Sequence, residues 1–247
     1  MNQPDAPRAL LALNPALDRA EIAARFARDG RVQIRSVLTE AAARTTHDVL
    51  RHTPWGIAWQ ADGDGPHMVR AGALPQVPAA EQGRVGQAIG TAMTGRGYAF
   101  LFSQYPMLEA YLKKWAPGGP HDLLLEHLND APFLDFVRGV TGIPELVKAD
   151  AQATLYRPNQ FLSEHDDAHA GESRRVAYVL NLCAVDWRPD WGGYLNFYDA
   201  DGDVKAGFRP RFNALNLFRV PQRHNVTYVP PFAPLERFAI TGWFRDR

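Results

Sequence analysis

Four residues in the C-terminal half of the chain have the types and the order of a metal site with an adjoining anion pocket. His165 and Asp167 are two positions apart, and residues two apart on an extended segment point to the same side. An imidazole nitrogen and a carboxylate oxygen can therefore meet at one point. His224, which opens the strand-like run His-Asn-Val-Thr-Tyr-Val, is the candidate third ligand. Two His and one carboxylate, with coordination positions left open, are the ligand set of non-haem Fe(II) oxygenases.

Competing ligands are few among the eight histidines of the chain. Asp166 is the alternative to Asp167, but neighbours on an extended chain face opposite sides, so we favour Asp167. His169 lies in a loop with Gly and Ala and is expected to face solvent. The other histidines have no such context: His47, His52, His67, His121 and His127.

Arg237 could bind the acidic part of a co-substrate. It begins the run Arg-Phe-Ala-Ile-Thr-Gly-Trp, and strand alternation puts Arg237, Ala239, Thr241 and Trp243 on one face. A guanidinium makes bidentate, charge-assisted contacts with a carboxylate. The alternative for Arg237 is a surface ion pair with Glu236 or Asp246.

Short runs of Val, Leu, Tyr and Phe follow Lys148, separated by Gly, Pro, Asp and Asn. They predict eight strands, a number and spacing that favour a double-sheet jelly roll. In such a fold the ends of the strands that carry the four residues can meet at one mouth. The predicted strands cover 149–156, 160–165, 174–183, 193–198, 203–208, 212–218, 223–229 and 236–244.

The first half of the chain has mostly helical patterns. A capping box at Asp18 and Glu21 begins a helix that Gly30 ends, and Thr39 caps a second helix that ends near His52. We expect residues 1–147 to be a helical support for a β core over 148–247, most simply as one unit because no linker separates them. The remaining predicted elements are a strand at 32–34, a hairpin or loop at 55–78 that could cover a site, and helices at 79–94, 106–115, 120–129 and 131–141.

Composition excludes several classes of protein. Lys and Arg total 27, and so do Asp and Glu, so bulk charge favours neither nucleic acid nor an anionic membrane. The single Cys183 cannot form an internal disulfide and is expected to be buried. The first residues lack a signal pattern and no apolar run is long enough to span a bilayer, so we expect a cytoplasmic location.

The ordered motifs of the C-terminal half resemble the 2-oxoglutarate and Fe(II)-dependent prolyl hydroxylases. The resemblance is strongest to the bacterial and fungal branch with the ribosomal-protein prolyl hydroxylases, and more distant to the hypoxia-sensing prolyl hydroxylases. It covers about residues 148 to 245 and rests on Tyr156, His165-x-Asp167, Trp191-Gly192-Gly193-x-Leu195, His224-x-Val226 and Arg237-x-Ala239-Ile240-Thr241-Gly242-Trp243.

The resemblance implies a double-stranded β-helix in which His165, Asp167 and His224 hold Fe(II). It also implies that 2-oxoglutarate chelates the iron and pairs with Arg237, and that O2 is consumed while succinate and CO2 leave; ascorbate could stimulate the reaction. Tyr156 occupies the place of a family tyrosine that contacts the co-substrate, although a core aromatic is a nearly equal alternative.

Three further residues are candidates for the co-substrate pocket. Thr241 could add a hydroxyl, and Leu195 is expected to line the pocket. Family members often carry a second co-substrate tyrosine on the strand where this chain presents Ala177, Val179 and Asn181. We expect either that Asn181 replaces that contact or that the pocket is wider.

The substrate implied by the resemblance is a prolyl residue in a protein, plausibly of the translation machinery. A free amino acid or other small molecule is the enzymatic alternative, and a metal-binding or sensory jelly roll is the non-enzymatic one. Trp59, Trp187 and Trp191 could grip a substrate or simply anchor loops. A locally basic run could meet an acidic partner but is more often a solvated face: Lys205, Arg209, Arg211, Arg219 and Arg223.

Overall fold

The computed structural model describes residues 10–95, 97–169, 171–234 and 237–247. The helices of this part of the chain are α1 (Arg19–Asp29), α2 (Glu40–Arg51), α3 (Ala79–Thr94), α4 (Met107–Leu112), α5 (Pro120–Asn129) and α6 (Ala131–Thr141). Its first strands are β1 (Arg31–Arg35), β2 (Gly56–Ala61), β3 (Asp64–Val69), β4 (Ala99–Tyr105), β5 (Lys148–Ala149), β6 (Gln152–Tyr156) and β7 (Phe161–His165). The later strands are β8 (Arg174–Asn181), β9 (Leu195–Tyr198), β10 (Val204–Phe208), β11 (Ala214–Arg219), β12 (His224–Val226) and β13 (Arg237–Arg245). Short 3-10 helices cover Ala71–Gln76 and Pro189–Trp191.

The strands form one antiparallel sheet in the order β1-β11-β8-β13-β6-β4-β7-β12-β9-β10. The hairpin β2–β3 joins it through β4, and β5 joins it through β13. The sheet curls into a nearly closed barrel, and the predicted double-stranded β-helix with helices is confirmed. Each of the eight predicted strands is present with small shifts at its ends, except that the first divides into β5 and β6. Glu236, the first residue predicted for the last strand, lies outside the described residues.

The N-terminal helices begin and end where the sequence predicts. The Asp18 carboxylate accepts a hydrogen bond from the Glu21 amide, and Gly30 ends α1 in the left-handed conformation. Thr39 caps α2 in the same way, through the Ala42 amide. These helices pack on the outer face of the sheet, where the largest apolar cluster includes Phe26, Phe136 and Leu180. In the described part of the chain, no helix is long and apolar enough to cross a membrane.

The N-terminal half also supplies strands, including β4, which the sequence analysis missed. β4 lies between the two halves of the barrel, pairing with β6 through Ser103–Tyr105 and with β7 through Phe100 and Leu101. Its outer neighbour is β2, in the hairpin predicted as a hairpin or loop. β4 therefore bridges the edges of the barrel and forms one wall of the cavity described below.

Candidate metal centre and co-substrate pocket

The barrel fold brings His165, Asp167 and His224 together. His165 ends β7, His224 begins β12, and the two are paired across the strands. The Asp167 carboxylate lies between them, with Oδ1 3.3 Å from His165 Nε2 and Oδ2 3.4 Å from His224 Nε2. One ligand atom from each residue lies within 4.8 Å of the other two. The three side chains can thus face a single metal ion.

Backbone carbonyls orient both imidazoles. His165 Nδ1 is 3.0 Å from the Ser163 carbonyl oxygen, and His224 Nδ1 is 2.7 Å from that of Gln222. A carbonyl can only accept a hydrogen bond, so each Nδ1 is the protonated nitrogen. Each Nε2 then keeps its lone pair and points at the common centre, as a metal ligand requires.

Asp167 reaches the centre through its backbone conformation. β7 ends at His165, and Asp167 has a φ of 63°, in the left-handed region that Asp tolerates better than most residues. Strand alternation was therefore the wrong reason for preferring Asp167 to Asp166, because Asp167 lies beyond the end of the strand. Asp166 is exposed, and its carboxylate accepts a hydrogen bond from the Ala168 amide at 2.9 Å.

The electrostatics of the three residues suit metal binding. Burial, together with the charge of His165, lowers the pKa of His224 to about 4. Burial alone would raise the pKa of Asp167, but the neighbouring His165 and His224 outweigh it and hold that pKa below its usual value. At neutral pH, His224 is therefore neutral and Asp167 is ionised, the states in which these groups bind a metal.

Arg237 is a buried cation on the inner face of β13. Its side chain is 2% exposed, and its Nε donates to the Gly193 carbonyl oxygen at 2.6 Å. The guanidinium carbon lies 4.5 Å from the centre of the Tyr156 ring, and burial lowers the Arg237 pKa. Among the described residues no carboxylate forms an ion pair with Arg237. Since the residue lines the cavity that contains the three ligands, its free N–H groups are available to an anion there.

Two glycines make room for this arrangement. A Cβ on Gly193 would lie 2.8 Å from Arg237 Cδ and 2.9 Å from its Nε, and one on Gly192 would collide with the Tyr228 carbonyl oxygen. Both glycines have positive φ, 58° at Gly192 and 65° at Gly193. The Gly pair of the sequence motif thus allows the backbone to approach the arginine and accept its hydrogen bond.

The cavity has a volume of about 760 Å³ and reaches beyond the three ligands. Tyr156, Leu195 and Thr241, predicted as co-substrate contacts, line it together with Arg237. Asn181 is not among the lining residues, although it is buried and its Nδ2 has no hydrogen-bond partner in the described part of the chain. On that strand, Ala177 and Val179 line the cavity instead.

β4 contributes cavity residues that sequence reasoning did not find. Phe100, Phe102 and Gln104 alternate along it and face the cavity, as does Tyr98 just before it. Burial and the charge of Asp167 raise the pKa of Tyr98 to about 12, and its ring lies 5.9 Å from that of His165. The alternation in Tyr-Ala-Phe-Leu-Phe-Ser-Gln was the available signal, but it stands among helical patterns.

Trp243 and Arg174 complete the wall beside Asp167. The Arg174 guanidinium stacks 3.7 Å from the centre of the Trp243 ring, and its Nε donates a 2.7 Å hydrogen bond to the Glu172 carboxylate. Trp243 also contributes to the low pKa of Asp167, while its buried Nε1 has no hydrogen-bond partner in the described part of the chain. The half-buried indole and the guanidinium thus lie on one side of the carboxylate ligand.

Residues suggested for substrate or partner contacts are used inside the fold. Trp59 stacks on His67, and Trp187 and Trp191 pack edge to face, so none of the three lines the cavity. Two residues of the basic run are engaged as well: Arg209 donates a hydrogen bond to the Trp187 carbonyl oxygen, and Arg223 pairs with Glu164.

Comparisons with known proteins agree with this geometry. Residues 151–245 match the family model described as the 2OG-Fe(II) oxygenase superfamily. No curated protein matches the chain.

Solved structures share the fold over almost the whole chain. A Pseudomonas putida prolyl-4-hydroxylase is 21% identical, with 93% of this chain and 99% of that chain covered and a TM-score of 0.57. A Trichoplax adhaerens prolyl hydroxylase in complex with a hypoxia inducible factor peptide is 15% identical, with 92% and 89% covered and a TM-score of 0.57. The non-haem alpha ketoglutarate-dependent epimerase SnoN from nogalamycin biosynthesis is 12% identical, with 93% and 82% covered and a TM-score of 0.56.

The family match and the site define the class of the protein. Residues 151–245 form a 2OG-Fe(II) oxygenase domain, and the predicted resemblance to the prolyl 4-hydroxylase-like oxygenases is confirmed. Over these residues the chain has the family match and the ligand set of the 2-oxoglutarate-dependent oxygenases, a class of enzymes.

Proposed function

We propose that this oxygenase hydroxylates prolyl residues of a protein or peptide, using Fe(II) held by His165, Asp167 and His224 and 2-oxoglutarate held by Arg237. The observation that carries the proposal is the buried Arg237 guanidinium, which lines the same cavity as the three ligands and has no carboxylate partner among the described residues. A buried charge without a partner is costly, and a dicarboxylate co-substrate supplies the missing partner.

The donor set fits Fe(II). Two imidazole nitrogens and one carboxylate oxygen on one side of an ion leave coordination positions for a chelating co-substrate and O2. Iron with 2-oxoglutarate supplies oxidative C–H hydroxylation, with release of succinate and CO2. We include in the proposal stimulation by ascorbate, which would keep the iron reduced, and a cytoplasmic location.

The protein's own residues bind, orient and exclude water. The guanidinium of Arg237 would bind the far carboxylate in a bidentate manner, with Tyr156 packed against its face and Gly193 fixing its Nε. Leu195 and Thr241 would line the same pocket, and the unpaired amide of Asn181 would lie behind it. Tyr98 keeps its proton at neutral pH, because its pKa is about 12, and can only donate or accept a hydrogen bond at the metal.

Two structural neighbours that are prolyl hydroxylases support a prolyl substrate, one of them in complex with a peptide. We also propose that the protein that carries this prolyl residue belongs to the translation machinery. The similarity to the epimerase SnoN is the observation that supports the alternative, a small-molecule substrate. A non-catalytic metal-binding jelly roll is disfavoured, since a structural metal site has no need of a buried, unpaired arginine beside it.

The proposal is tested by binding measurements with Mn(II), which takes the same oxygen and nitrogen ligands but does not turn over. We expect Asp167→Ala to abolish specific Mn(II) binding. Arg237→Met, which keeps the volume but removes the charge, should leave Mn(II) binding intact. It should weaken 2-oxoglutarate binding about 10- to 100-fold, the range of about 1.5–3 kcal/mol for charge-assisted hydrogen bonds.

Calorimetry on each variant, with the exposed Arg84→Met as a matched control, separates the outcomes. If Arg237→Met loses Mn(II) as completely as it loses 2-oxoglutarate, Arg237 is structural. If wild-type protein binds neither ligand, the proposal is wrong.

A further inference from the structure

We propose that Gln104 and Gln152 form an amide pair that binds the backbone of an extended polypeptide substrate, so that the substrate is a peptide and not a free amino acid. The inference rests on the proposed function and specifies its substrate class. It depends on residues outside the metal and co-substrate positions.

The two glutamines meet at one side of the cavity. Gln104 on β4 lies opposite Thr154 of β6, and Gln152 begins β6 opposite Thr241 of β13. Both side chains are half-buried and line the cavity that contains the metal ligands. Gln104 Nε2 donates a hydrogen bond to Gln152 Oε1, which joins the two strands side chain to side chain.

This pairing leaves hydrogen-bonding capacity directed at the cavity. After the shared bond, Gln104 keeps its carbonyl oxygen as an acceptor and Gln152 keeps its NH2 group as a donor. In the part of the chain that the structure describes, neither group has another hydrogen bond. A peptide unit offers one N–H and one C=O, so it can satisfy both groups at once.

The charge of this part of the cavity selects against a free amino acid. An ammonium or carboxylate group would require a charged partner at a half-buried site, whereas a glutamine pair is neutral. The nearby Glu109 is paired with Lys113 at 2.6 Å, and Arg174 is paired with Glu172. Neutral peptide groups therefore match the pair better than the charged ends of a free amino acid do.

The wall between the pair and the metal is apolar. Phe100, Phe102, Ala58 and Leu162 line it, and a prolyl ring has an apolar surface and no N–H group to satisfy. Gln104 is six positions from Tyr98, and six residues of extended strand span roughly 20 Å. The Tyr98 ring contacts that of His165. A substrate that reaches both the pair and the metal must be several residues long.

The test uses the Fe(II)- and 2-oxoglutarate-loaded full chain and measures succinate formed above the substrate-free rate. The probes are a pool of N-acetylated, C-amidated peptides of about 13 residues, with central proline and randomised flanks long enough to reach the pair from the metal ligands at roughly 3.4 Å per residue, and L-proline. We expect the pool to stimulate succinate formation and L-proline not to. Gln152→Met should raise the pool concentration for half-maximal stimulation at least about tenfold, as loss of one hydrogen bond of ~1.4 kcal/mol does.

Two comparisons keep the result interpretable. Gln152→Glu keeps the acceptor for Gln104 but lacks the NH2 group, so it should lose stimulation like Gln152→Met; Gln87→Met, on the exposed face of α3, should behave as wild type. Mn(II)-loaded Gln152→Met should bind 2-oxoglutarate with wild-type affinity.

The inference is overturned if the pool stimulates Gln152→Met as well as it stimulates wild type, if L-proline stimulates in place of the pool, or if the pool does not stimulate wild type. Absence of both 2-oxoglutarate binding and succinate formation in wild type would instead remove the proposed function, and the inference with it.

Discussion

At the scale of single residues, the types and order of His165, Asp167 and His224 were sufficient to predict a metal site, and Arg237 to predict an anion-binding group beside it. Their proximity follows from strand pairing, which the sequence pattern predicted well enough. The conformation of Asp167 was not predictable, because a left-handed residue after a strand leaves no signal in residue type beyond Asp itself. The lack of a hydrogen-bond partner for the Asn181 side-chain amide was not predictable either, because it depends on the packing of β8 against β13.

Gly193 tests how closely Arg237 is positioned. A Cβ at this residue would enter the space of Arg237 Cδ and Nε, so Gly193→Ala should weaken 2-oxoglutarate binding at least about tenfold in the Mn(II)-loaded protein. Gly63→Ala is the matched control, because Gly63 also has positive φ but nothing within 4 Å of its added Cβ. Equal affinities in the two variants would show that the Gly193 contact does not position the arginine.

At the scale of elements, the predicted strands and helices differ from the observed ones mainly at their ends. The important exception is β4, whose inward side chains form a wall of the cavity. It was missed because its position in the sheet depends on partners about 50 residues away in β6 and β7. Hairpin β2–β3, in contrast, was among the predicted alternatives because its Asp-Gly turn is a local signal.

Gln160 fastens β4 to the turn before β7. Its side chain is buried, and its Oε1 accepts hydrogen bonds from the Ser103 amide at 3.1 Å and the Arg157 amide at 2.9 Å. Gln160→Leu leaves the buried Ser103 group without this acceptor, so it should lower the free energy of unfolding by about 1–3 kcal/mol in urea titration.

The exposed Gln82 provides the control for that measurement. Gln82→Leu removes one surface hydrogen bond to the Val77 carbonyl and should change stability by less than about 0.5 kcal/mol. Similar losses in both variants would mean that Gln160 does not hold β4.

At the scale of the whole molecule, the sheet includes strands from both halves of the sequence. β1 pairs with β11 over its full length, and β4 joins β6 to β7. The division at residues 147 and 148 remains a prediction about sequence regions. Because the two regions share one sheet, we predict that they unfold together.

Urea unfolding of the full chain tests that prediction. Far-UV circular dichroism and tryptophan fluorescence should give coincident transitions, as expected for a cooperative unit. The probes sample both regions, since Trp55, Trp59 and Trp115 lie before residue 148 and Trp187, Trp191 and Trp243 lie after it. Two separated transitions would show that the regions are independent domains.

The oxygenase centre is tested by conversion of 2-oxoglutarate to succinate in air, after anaerobic reconstitution with Fe(II), by wild type and Asp167→Ala. Without a carboxylate between His165 and His224, the variant should not hold iron productively. We predict slow succinate formation by wild type in the absence of added substrate, and none above the protein-free background by Asp167→Ala. Equal rates from the two proteins, or no succinate from wild type together with no 2-oxoglutarate binding, would contradict the assignment of this site as the oxygenase centre.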